Sequence, residues 1–422
     1  MSWPAYPAYK DSSVKWIGEI PAAWSARQLR YICDVQTGDR DTVHRVDGGE
    51  FPFFIRSEIV QRIDSWSMDC EAVLTPGDGA VGQVFHHYIG KFDFHQRVYA
   101  FFNFQGIDGR YFYYYLSALF AKVALDGSAK TTVDSLRMPL IKGFVIAHPH
   151  LTEQDHIVRF LDRETAKIDS LIDKQEQLIA TLREDRAATI AHAVTKGLNP
   201  DVEMKDSGVE RLGHIPTHWT VPQIGWHSRV GNGSTPARDN QEYWLNGLVP
   251  WLNSGHVNRD RITDADQFVT NSAVLECHLP MVPAGSVLVG LTGQGKTRGM
   301  ASLLMVPSTI NQHLAYVTPI SRQIGAAYLC YAIRSSYDYL REISEENGST
   351  KGGLTCSALK KLRIPIPPKN EQDMLVRFLD ERCSKIDSLI AKSTEMIDTL
   401  REYRSALITN AVTGKIDVRE AV

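Results

Sequence analysis

The chain of 422 residues carries 46 Lys and Arg against 49 Asp and Glu, a net charge of -3, with 43% hydrophobic residues. This composition fits a globular protein with a substantial core and counts against unaided tight nucleic-acid binding, though not against binding shared with partners. No apolar run approaches the ~18 residues of a membrane span, no signal peptide is expected from "MSWPAYPAYKDSS", and six cysteines without C-x-x-C spacing suit reduced thiols in the cytoplasm.

In chain order, the first element to read is "KDSSVKWIGEIPAAW" (10–24), which returns as "KDSGVERLGHIPTHW" (205–219). The stretch from about 25 to 150 reads as α/β: "RVYAFFNF" as a strand, "RYFYYYLSALFAKVAL" (110–125) as a helix whose aromatics belong to a core. Next comes "EQDHIVRFLDRETAKIDSLIDKQEQLIATLRE" (153–184), repeated as "EQDMLVRFLDERCSKIDSLIAKSTEMIDTLRE" (371–402). Ile168, Leu171, Ile172, Leu178, Ile179 and Leu182 fall at three- and four-residue steps. Ile386, Leu389, Ile390, Met396, Ile397, Leu400 and Tyr403 repeat the stripe. Both units are therefore long helices, and two near-identical stripes favour packing on each other as an antiparallel pair.

The second middle region, about 220–368, again reads as α/β, with "GSVLVG", "LAYVT" and "RIPIPP" as strands and "AAYLCYAIRSSYDYLREIS" (326–344) as helix. It shares only landmarks with the first: "FPFFIRS" faces "VPWLNS", "DFHQRVYAFF" faces "TINQHLAYVT", and "DGSAKTTVDSLR" faces "NGSTKGGLTCSALK". The order is thus A, B, A′, B′, with boundaries at 1–150, 151–204, 205–368 and 369–422. The expected fold class is α+β: two α/β domains in pseudo-twofold arrangement, joined by two long antiparallel coiled-coil helices. Acidity concentrates in 151–204, while 205–368 carry 15 Lys and Arg against 12 Asp and Glu, so any phosphate contact falls to the globular regions.

"VGLTGQGKT" (289–297) satisfies the nucleotide-binding pattern G-x-x-x-x-G-K-[ST]. A working loop of that kind needs a helix immediately after it. Here Gly299 and Pro307 interrupt, and "MASLLMV" reads as the second strand of a hairpin. The residues then become an exposed Gly-rich turn carrying polar donors, and no other catalytic constellation is present. An ATPase with a coiled coil, and a scaffold without nucleic-acid contact, stand as alternatives to a DNA-binding protein.

The chain resembles the DNA-specificity subunits of type I restriction-modification systems. The resemblance rests on "GEIPAAW" and "GHIPTHW", on "HPHLTEQDHIVRFLDRETAKIDSLI" and "PIPPKNEQDMLVRFLDERCSKIDSLI", and on "GNGSTPARDNQEYW" (231–244) and "GSTKGGLTCSALKKLRIPIPP" (348–368). The first half has "TGDRDTV" where the G-x-T-P stretch is expected. The resemblance implies two target-recognition domains, each reading one half of a bipartite sequence in double-stranded DNA. The helices would set the spacer and dock two methyltransferase subunits, with restriction/translocase subunits joining them and no membrane involved. S-adenosylmethionine, ATP and Mg would sit on those partners, leaving this chain non-catalytic and without a cofactor or metal. DNA contacts are then expected at Arg40, Arg56, Ser57, Gln83, His95, Gln96, Lys130 and Thr131 in the first half. In the second they are expected at Ser234, Thr235, Arg238, Asn253, Ser254, Gln294, Lys296, Thr297, Arg298 and Lys351. Docking and coiled-coil packing fall to Ile168, Leu171, Ile172, Leu178, Leu182, Ile386, Leu389, Ile390, Ile397 and Leu400.

Overall fold

The computed structural model describes residues 3–124, 136, 138–293, 295–346 and 353–421; Lys130, Thr131, Gln294 and Lys351 lie outside them. The chain divides into two compact units, Met1–Gln177 with Ser393–Val422, and Leu178–Lys392. The predicted helices are present as Leu151–Lys196 and Lys369–Val412, each unbroken. At ~1.5 Å per residue each is about 65–70 Å long.

In the first unit, six strands order as Asp34–Thr37, Val98–Phe102, Met68–Pro76, His86–Phe94, Phe51–Phe54 and Gln61–Ile63. The helix Gly109–Ala124 packs on this sheet. Its Tyr111, Phe112, Tyr115 and Phe120 are fully buried, so the aromatic run is core. Ile157, Phe160 and Leu161 of the first long helix join the same core, and so do Leu407, Ile408, Ala411 and Val412 of the second. Each Leu, Ile, Val or Phe among them contributes about 1.5–3 kcal/mol on burial.

The second unit repeats this plan. Its core joins Leu375, Leu379 and Cys383 of the second long helix to Ile190, Ala193 and Val194 of the first. Its sheet is split. One part orders as Ser228–Asn232, Leu314–Pro319, Val287–Gly290, Ala301–Leu304 and Arg261–Ile262; the other as Gln267–Val269, Val249–Leu252 and Thr309–Ile310. The split has a local cause. Where the first unit runs His86–Phe94 as one strand, the second places Pro307, which has no N–H to donate, between Ala301–Leu304 and Thr309–Ile310. Prolines act likewise in "RIPIPP", where only isolated bridges form, Thr220 to Ile366 and Gln223 to Arg363. The predicted single helix over 326–344 is two, Ala326–Arg334 and Tyr337–Glu346.

The repeated flanks lock into one another. The Trp24 indole N–H donates to Glu153 at 2.9 Å, and the Trp219 indole to Glu371 at 2.9 Å. Gln154 accepts from Asp108 N at 2.7 Å and donates to Pro149 O at 2.8 Å. Gln372 accepts from Gly325 N at 2.9 Å and donates to Pro367 O at 2.8 Å. The Tyr111 hydroxyl lies 2.9 Å from Ala147 O and 3.0 Å from Val412 O, and Tyr328 repeats this with Pro365 O and Val194 O.

Within the first unit the long helices run antiparallel, with Asp169 paired to Arg404 at 2.8 Å and Glu176 to Arg401 at 3.3 Å. The stripe divides by burial. Ile168, Ile386 and Ile397 are buried, and Ile172, Leu182, Ile390 and Leu400 are half-buried. Leu171, Leu178 and Leu389 stand 46%, 44% and 50% exposed and so pack against no core. Three- and four-residue spacing covers more of the helix circumference than the face that is buried.

Candidate nucleic-acid interface

Three segments meet at the same sheet end in each unit, on the same backbone frame. Phe53 and Phe54 pair in parallel with Asp93 and Phe94; Trp251 and Leu252 pair in parallel with Thr309 and Ile310. A tight turn follows, His95-Gln96-Arg97 or Asn311-Gln312-His313. Its first amide donates to Phe54 O or Leu252 O, at 2.9 Å in both units. Gly38 and Gly233 close on this turn from a second segment. A Cβ at either would collide with the carbonyl of Phe94 or Ile310, so only glycine fits. The third segment leaves the central strand. Gly77 N donates to Arg97 O at 2.7 Å, and Leu291 N to His313 O at 2.9 Å.

On this shared frame the side chains differ. In the first unit Asp78 binds Arg97 at 2.6 Å and Arg56 at 3.1 Å. Burial raises its pKa, but the two guanidinium bonds outweigh this and leave it below the ordinary 3.8. Gln96 donates to Asp41 at 2.9 Å. His95 is buried, which lowers its pKa from 6.5, and its Nδ1 accepts from Arg97 N at 3.0 Å, so the neutral ring carries its proton on Nε2. Arg40 reaches in from the Gly38 segment, but its guanidinium is held 3.1 Å from Asp93, a fully buried carboxylate. Ser57 gives its carbonyl to His86 at 3.0 Å, and Gln83 is exposed on the loop after Asp78. Arg40, Arg56, His95 and Gln96 are therefore one cluster.

In the second unit Thr292 occupies the place of Asp78 and bonds His313 Nδ1 at 2.9 Å. Thr235 donates to Gln312 at 2.5 Å. Arg238 lies against Trp244 and Trp251 and donates to Gln267 at 3.0 Å. Asn253 instead turns inward, accepting from Gly255 N at 2.9 Å, and Ser234 gives its carbonyl to Trp251. Ser254 opens the short helical turn Ser254–Asn258.

The "GQGKT" stretch is a hairpin loop. Val287–Gly290 and Ala301–Leu304 pair antiparallel across it, and no helix follows. Tyr337 OH donates to Lys296 O at 2.9 Å and Arg341 to Gly295 O at 2.7 Å, fixing the loop while Lys296 stays exposed. Thr297 turns the loop, its carbonyl accepting from Met300 N at 3.1 Å. Arg298 points the other way, buried and paired with Glu345 at 2.7 Å.

The family described as the type I restriction modification DNA specificity domain matches residues 21–180 and again 216–397. The chain belongs to this family. The Escherichia coli EcoR124I/EcoR124II specificity subunit is 28% identical over 44% of this chain and 44% of its own length, so less than half of that relative is matched. The Escherichia coli EcoDI specificity subunit is 29% identical over 94% of this chain and 90% of its own. A chain from a structural study of type I R-M complex assembly superposes with a TM-score of 0.70 at 14% identity, over 93% of this chain and 98% of that one. The HsdS subunit from Thermoanaerobacter tengcongensis gives 0.51 at 14% identity, over 94% and 98%. At these identities the solved structures establish the shared fold.

Within this specificity-domain chain, the sequence reading passed over Arg97, Gln312 and His313. Their signal was the landmark pairing of "DFHQRVYAFF" with "TINQHLAYVT", which sets Gln96 on Gln312 and Arg97 on His313. Among the described residues no helix is long and apolar enough to cross a membrane.

Proposed function

We propose that this chain is the DNA-specificity subunit of a cytoplasmic type I restriction-modification complex. Each unit reads one half of a bipartite sequence in double-stranded DNA through its three converging segments. The observation that carries this is one backbone frame bearing two unlike sets of polar groups, Asp78 with Arg97 in one unit and Thr292 with His313 in the other. A duplicated frame with divergent tips is what reading two different half-sequences requires. The chain performs no chemistry. S-adenosylmethionine, ATP and Mg belong to two methyltransferase subunits and to restriction/translocase subunits. Exposed Leu171, Leu178 and Leu389 supply apolar surface for the methyltransferase subunits, while the buried members of the stripe hold the helices.

Modular exchange tests this reading. Replacing 220–368 with the same region of a relative changes one half of the methylated motif and leaves the other intact. A replacement that changes both halves in an active complex refutes independent reading.

A further inference from the structure

We propose that Arg238 reads a guanine in the half-sequence recognised by the second unit, an inference that rests on the DNA-reading assignment above. The guanidinium carbon lies 4.0 Å from the Trp244 ring centroid and 4.7 Å from that of Trp251. The two indoles meet edge to face, 5.2 Å apart at 84°. Each is tied by its own N–H to the loop that carries Arg238: Trp244 to Ala237 O at 2.9 Å, Trp251 to Ser234 O at 3.2 Å. Gln267 accepts one guanidinium N–H at 3.0 Å. An exposed arginine is thus held in one orientation, with N–H groups left over.

Its charge is also intact. Arg40 faces the buried Asp93 and Arg298 pairs with Glu345, whereas Arg238 has no ion pair among the described residues. A phosphate contact requires charge but not a fixed plane, and a flexible lysine serves as well. A planar fork fixed by two rings and an amide suits a base edge carrying two acceptors. In the major groove that edge is guanine O6 and N7. Adenine offers one acceptor and one donor, cytosine a donor, and thymine one acceptor beside a methyl group.

The test expresses the full chain with its methyltransferase subunits and reads the methylated motif from genomic DNA. The half assigned to the second unit by the exchange of 220–368 contains a G·C pair. Arg238→Lys, which keeps the charge but loses the fork, and Arg238→Ala both relax that pair alone, by roughly five- to a hundredfold. The unchanged first half reports that the complex is folded. Absence of a G·C pair from that half overturns the proposal. So does an unaltered motif with uniformly weaker methylation, the signature of a phosphate contact, and so does loss of all methylation in both variants. The underlying assignment fails separately, if exchanging 220–368 changes neither half.

Discussion

Lys296 is where a nucleotide-binding reading and a DNA-binding reading of "VGLTGQGKT" part. Its carbonyl is anchored by Tyr337, while its side chain is exposed and has no ion pair among the described residues. Lys296→Ala is expected to weaken DNA binding across all sequences, lower the salt slope by about 1 and leave the motif unchanged. The isolated chain is expected to bind no ATP before or after the change; tight ATP binding lost in the variant would reverse the reading. Gln372 poses a different residue-scale question. It is fully buried and binds Gly325 N, Gln323 O and Pro367 O. Gln372→Leu leaves those groups unpaired, and a loss of about 2–3 kcal/mol is expected, read as a lower urea midpoint. Gln154→Leu should act in the same way on the first unit; a neutral result at both positions would mean the motif is kept for something other than folding.

At the scale of an element, the first long helix runs without Gly or Pro from Leu151 to Lys196, and the boundary between the units falls within it, at Gln177 and Leu178. If it sets the spacing between half-sequences, its length is the variable. Four residues inserted after Ala180 add one turn, ~5.4 Å, against ~3.4 Å per base pair along a DNA strand. The spacer should lengthen by one or two base pairs with both halves unchanged. Two inserted residues rotate everything beyond them by ~200° and should cost assembly. An active four-residue variant that keeps the original spacer, seen in the methylated motif, would move that role to the methyltransferase partners. The sequence reading assigned Leu171, Leu178 and Leu389 to the same stripe as Ile168 and Ile386. Periodicity marks which residues are apolar, but packing decides which of them are covered, and only Ile168 and Ile386 of these five are.

At the scale of the whole molecule, the repeats made the two-unit plan legible, because "IPxxW" and "EQD" are contact partners and so resist divergence together. The landmarks "FPFFIRS" and "VPWLNS" likewise proved to be strands that pair in the same register with Asp93–Phe94 and Thr309–Ile310 of their own units. What the sequence could not show was which helix end completes which core. Tyr111 reaches Val412, 301 residues away, and Tyr328 reaches Val194, 134 residues back. Local patterning carries no record of such closures, nor of the indoles that orient Arg238. They have a consequence for the order of assembly on the ribosome. The second unit is one continuous stretch, Leu178–Lys392, and every residue of its core has been synthesised by Lys392. The first unit begins to emerge earlier, yet it needs Leu407, Ile408, Ala411 and Val412. The half translated first is therefore the half completed last, and Tyr111 has no Val412 to bond until the other half has been synthesised. Folding in N-terminal order is here made to wait for Lys369–Val412, whose last turns complete the first core.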